Sequence, residues 1–178
     1  SLTHRHGLAP GGLCKAEVRV NMAGNHAAVE GLSLLLAGQT SQADYRVLED
    51  HAAALSTSRV LVRAVGNGTG RAAFTGLLRV RADTPGCEAY EEARARLLSP
   101  DSEANLIPEL EILNHDVACS HAAAVSPLDA EARYYLMTRG LTAQEAETML
   151  VEGFAQPVLG RIPDPALAAR VHERLLAD

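Results

Sequence analysis

The stretch NHDVACSHAAAV, residues 114 to 125, holds two of the chain's seven histidines and one of its three cysteines. Imidazole and thiolate are ligands for zinc, for iron and for iron-sulfur clusters, so these residue types point to metal chemistry. As a strand, the stretch would alternate its side chains and place His115, Val117, Cys119 and His121 on one face. Same-face neighbours then stand about 6.6 Å apart, from a rise of roughly 3.3 Å per residue. Three ligands in such a row cannot close around one tetrahedral ion without a bulge, and a fourth would still be needed. The competing readings are a histidine hydrogen-bonded at a strand end and a cysteine acting as a small buried hydrophobe.

Other chemistry is sparse. Cys14 and Cys87 follow Gly-Gly and Pro-Gly and read as incidental thiols. Three widely spaced cysteines with no CxxC pair fit reduced thiols in a cytosol better than a disulfide framework. The glycine-rich GNGTG (66 to 70) lacks the lysine of a phosphate loop and joins two strand-like pieces, so it reads as a turn. Neither GxSxG nor HExxH occurs.

The elements that must position these residues are short strands, then helices. AEVRVNM (16 to 22) alternates as a half-buried strand. Val- and Leu-rich pieces follow at 27 to 38, 58 to 68, 72 to 83 and 108 to 125, separated by the turn signals AGN, AGQT, GNGTG and DTPG. Without a fixed-length repeat, this rhythm suits a solenoid and a sandwich equally. After Ser126-Pro127 the period becomes 3.6: Leu128, Ala132, Tyr135 and Leu136 mark one helix, which Gly140 ends. Thr142 with Glu145 is a capping box opening a second helix, striped by Ala146, Met149, Leu150 and Phe154. Pro165 opens a third. The expected division is a β domain over 1–126 and a helical domain over 127–178.

Composition bounds the function. At 178 residues and 47% hydrophobic, with two Phe, four Tyr and no Trp, the chain can bury an aliphatic core of thin layers. A net charge of −6 with no basic block argues against nucleic acid or an anionic membrane as partner. No apolar run is long enough to span a bilayer, so a cytoplasmic protein is expected. The chain opens on Ser1 rather than Met, which suits a piece of a longer protein.

Residues 97 to 154 resemble the C-terminal core of the SufB/SufD family, and SufD more than SufB. The matching pieces are the LLS serine, PELEI, DVACSH, the Leu128-Asp129 pair, YYLMTRGL and EAETMLVEGF. Residues 49 to 80 are similar to the family as well, through His51, Ser58-Arg59 and a turn at Phe74 to Gly76. The resemblance implies a right-handed parallel β-helix followed by a small helical domain, and a role as a scaffold subunit in iron-sulfur cluster assembly rather than as an enzyme. It implies pairing with a SufB-like paralogue or with itself, and an ABC-type, SufC-like ATPase docked on the helices. Tyr135, Arg139, Met149 and Phe154 would be the candidate docking contacts. A cluster would rest transiently at a subunit interface, with His121 at the ligating SufD position and Cys119 beside it. ATP would enter only through the partner. Two departures stand out. Arg94 occupies the position of the SufB cysteine, and Ala122 and Ser126 replace glycines that often mark positive φ or close approach. The alternative from another class is a structural homodimeric β-solenoid module that never touches iron; a small metalloenzyme is a third.

Overall fold

The computed structural model describes residues 1–9 and 11–176. Pro10 of the expected β domain, and Ala177 and Asp178 of the expected helical domain, lie outside the described residues.

Nine strands alternate between two parallel sheets. Leu2–Leu8 (β1), Ala28–Ala37 (β3), Thr57–Gly66 (β5), Cys87–Leu97 (β7) and Val117–Pro127 (β9) form one sheet in the order β1-β3-β5-β7-β9. Leu13–Met22 (β2), Gln42–His51 (β4), Arg71–Val80 (β6) and Glu103–Ile112 (β8) form the other, in the order β2-β4-β6-β8. Each strand therefore pairs with the strand two positions on, and the chain advances by roughly 30 residues per coil. Parallel ladders of this kind define a β-solenoid and exclude the antiparallel sandwich that strand rhythm alone allowed.

Alternation decides which side chains enter the lumen between the sheets. From β4, Ala43, Tyr45, Val47, Glu49 and His51 are buried there; from β6, Ala72, Phe74, Gly76, Leu78 and Val80. Across from them, β5 contributes Val60, Val62 and Ala64, and β7 contributes Ala93 and Ala95. Tyr45 and Phe74 stack with ring centroids 6.1 Å apart, on neighbouring coils. The reading of Phe74 to Gly76 as a turn is corrected here: all three sit mid-strand in β6, because Gly76 serves the lumen and not a bend.

The corners repeat a left-handed residue. His26, Leu55 and Gly86 all have positive φ at one corner, each bonding to the next coil: His26 N–H donates to Ala54 O, Leu55 N–H to Pro85 O and Gly86 N–H to Asp116 O. Gln39 and Gly68 repeat the device at another corner.

Three helices follow: Ala130–Thr138 (α1), Ala143–Leu159 (α2) and Pro165–Leu176 (α3). Asp129 caps α1 by accepting from the Glu131 and Ala132 N–H groups, and the Thr142–Glu145 capping box opens α2. The buried residues of α2 include Ala146, Val151, Ala155, Val158 and Leu159, so the apolar stripe runs through Val151 and Ala155 while Met149 faces out. With α3, this face covers Leu32, Leu34, Leu36, Leu61 and Val65 on the outside of the five-stranded sheet.

Candidate functional site

Strand β9 ends the five-stranded sheet, paired to β7 on one side only. Register sets Cys119 beside Ala89, His121 beside Glu91 and Ala123 beside Ala93, so these β9 residues continue the lumen row of β7. No further described coil lies over them: Cys119 is half-buried, and His121 and Ala123 are exposed. The strand begins at Val117, which corrects the four-residue row read from sequence. His115 sits in the preceding turn, exposed, where the Asp116 N–H is taken by the Asn114 side chain.

Burial raises the Cys119 thiol, a backbone hydrogen bond with Ala89 offsets part of this, and the Cys87 sulfur adds to the rise. The isolated chain therefore presents a protonated thiol, and a metal would have to displace that proton. Among the described residues, no three His, Cys, Asp or Glu side chains already close on a point that could hold a metal ion. Chemically, β9 offers an imidazole and a thiol, two groups able to ligate a metal, on an open face.

The two glycine replacements leave the backbone extended: neither Ala122 nor Ser126 has positive φ. Ser126 accepts from Arg96, whose Nη1 also donates to Pro127 O at 3.3 Å. Arg94 points away from the lumen and donates to Glu92 at 3.2 Å. Glu92 also accepts from Arg63 at 2.6 Å and from the Tyr90 hydroxyl at 2.9 Å. Burial alone would raise the Glu92 carboxyl, but the hydrogen bonds from Arg63 and Tyr90, with the arginine charges, hold it below the usual range.

The helical candidates divide. Tyr135 and Met149 are exposed, and the Arg139 guanidinium lies 5.1 Å from the Tyr135 ring centroid. Tyr134 and Met137, which sequence reading passed over, are exposed beside them. Phe154 instead turns inward against the solenoid, with the guanidinium carbons of Arg63 and Arg96 at 5.7 Å and 5.5 Å from its ring centroid. His51 is fully buried, sharing hydrogen bonds with Ser56 at 2.8 Å and Ser58 at 3.0 Å, and desolvation lowers its pKa.

Sequence reading also missed Glu49 and Glu91, both fully buried in the lumen with no hydrogen-bond partner for either carboxylate. The signal was present: in QADYRVLEDH and CEAYEEARARL each falls on the apolar phase of the alternation.

The fold is a parallel β-solenoid closed on one flank by helices, with a histidine and a cysteine on its open terminal strand. Residues 1–154 match the family described as SUF system FeS cluster assembly, SufBD core domain. The chain belongs to that family. It is 33% identical over 142 residues to an iron-sulfur cluster assembly SufBD family protein of Mycobacterium tuberculosis, covering 80% of this chain and 17% of that protein. It is 27% identical over 168 residues to the iron-sulfur cluster assembly protein SufD of Escherichia coli, covering 94% of this chain and 40% of the relative. It is also 29% identical over 132 residues to SufB of Bacillus subtilis, covering 74% and 28%. The chain thus spans under half the length of each of these three relatives.

Proposed function

We propose that this chain is a SufD-like scaffold subunit that supplies half of a shared cluster-assembly site through His121, with Cys119 beside it. The observation that carries this reading is the position of both side chains on the open lumen face of β9, a strand with one unpaired edge. An unpaired edge invites a further strand, and a SufB-like paralogue or a second copy apposed there would bring the remaining ligands. The chain would contribute structure and ligands, not bond chemistry, and the cluster would be held transiently at the interface. Such a subunit would work in the cytoplasm; among the described residues, no helix is long and apolar enough to cross a membrane.

The exposed Tyr134, Tyr135, Met137 and Met149, with Arg139, are the helical side chains open to a SufC-like ABC ATPase, which would bind the ATP itself. Phe154 packs against the outer face of the five-stranded sheet instead. Co-expression with the cognate ATPase and the cysteine-bearing paralogue, followed by co-purification, tests the assembly. The full chain should capture both. Tyr134→Ala/Tyr135→Ala should lose the ATPase and keep the paralogue, and Ala123→Lys, which sets a charge on the open β9 face, should do the reverse. A folded full chain that captures neither would refute the reading, and one that only self-associates would favour a structural homodimer.

A further inference from the structure

Charge is spread unevenly along the chain. Residues 101–127, which run through β8, the corner after it and β9, hold five of the 22 Asp and Glu and none of the 16 Lys and Arg. The rest of the chain is almost neutral, at 17 acidic against 16 basic residues, so nearly all of the net charge of −6 sits on this terminal coil. Glu103 and Glu111 are answered from the coil beneath, by Arg71 at 3.4 Å and Arg79 at 2.7 Å. Asp101, Glu109 and Asp116 are exposed, and their side chains make no ion pair or hydrogen bond among the described residues.

This acidic rim surrounds an unfinished coil. β8 pairs only with β6 and β9 only with β7, so both sheets end here on open edges. The lumen row is only partly covered: Leu106 and Leu110 are half-buried, and Ile112 and Val125 are exposed. Open apolar side chains beside two rows of unpaired backbone groups suit a covering pair of strands. Charge decides which pair. A second copy presenting the same end would bring five more acids and no cation against these five, whereas a basic end would meet three uncompensated carboxylates.

We propose that the β8–β9 end is a docking surface for a partner end whose rim carries Lys or Arg, and that its acidic rim turns away a second copy of this chain. The inference rests on the scaffold reading and names the chemistry of its partner: a paralogue with a basic end.

Sedimentation velocity of the full chain reads the exclusion of a second copy without any partner. Wild-type self-association should rise as salt goes from about 0.05 to about 0.5 M, because added ions screen the like charges. Asp101→Asn/Glu109→Gln/Asp116→Asn should self-associate at low salt with a dissociation constant roughly tenfold lower than wild type. The three changes touch no bond that holds the fold, so circular dichroism should match wild type. Stopped-flow mixing with the cognate cysteine-bearing paralogue reads the basic partner. The association rate should fall roughly tenfold across the same salt range, and by a similar factor in the triple variant. Wild-type self-association that does not rise with salt, or a triple variant as monomeric as wild type, would overturn the exclusion. Capture of the paralogue at a rate insensitive to salt and to the triple change would overturn the basic partner and leave the scaffold reading standing. A paralogue that does not bind at all would end both.

Discussion

At the residue scale, phase within a strand separates the functional side chains from their neighbours. Cys119 and His121 fall on the lumen phase of β9, and because no described coil covers them Cys119 is only half-buried and His121 is exposed. Glu91 falls on the same phase one coil earlier, where it is fully buried. Its folded carboxyl, raised from 4.5 to about 8, binds a proton that the unfolded chain has released. Stability from this group is therefore fully present below pH 4.5, declines as pH rises, and levels off above about 8. Urea denaturation should show wild-type stability falling on the order of 5 kcal/mol across that window. Glu91→Gln should flatten the fall; an unchanged slope would show that Glu91 does not hold the proton. The His121–Cys119 pair was legible from its residue types and from family resemblance. His115 was not separable from them, because the strand boundary at Val117 depends on the Asn114 side chain closing a turn.

At the element scale, the helices were readable, whereas β1, β4 and β7 were not and β8 and β9 were read as one piece. Asp129, Gly140, Thr142 with Glu145, and Pro165 are local signals that mark helix ends whatever the fold. Strand β7, CEAYEEARARL, is by contrast rich in helix formers, and it is a strand because β5 and β9 pair with it on both sides. Ladder pairing is a tertiary fact that local propensity does not carry. The stretch 108 to 125 read as one piece because the alternating Pro108–Ile112 and the apolar Val117–Val125 are both strand-like, yet a corner at 113–116 divides them between sheets. The helices depend on Phe154, held between Arg63 and Arg96. Phe154→Ala should lower stability by about 2 kcal/mol, less than the ~3–5 kcal/mol for a fully buried Phe. Thermal melting reads this, and limited proteolysis should cut first within α2. If α2 stays protected, the arginine-clasped ring is not what seats it.

At the scale of the whole molecule, the solenoid was expected from resemblance, whereas its repeat was hidden. The left-handed corner residue is glycine only at Gly86 and Gly68; at the equivalent positions it is His26, Leu55 and Gln39, so no periodic glycine betrays the coil. The outer face of the five-stranded sheet is apolar at Leu32, Leu34, Leu36 and Leu61 because α2 and α3 lie on it. A chain cut at Ser126 would expose that face and should aggregate, which light scattering of the truncated protein would reveal, so point changes on the helices are the sounder probe of docking. The central claim is that an assembled complex draws a cluster ligand from β9. Its most direct test is the iron and sulfide content of the complex co-purified with its paralogue and ATPase, comparing wild type with His121→Ala. The account predicts that His121→Ala assembles normally and loses cluster roughly tenfold. A complex with His121→Ala that carries wild-type iron and sulfide would contradict it.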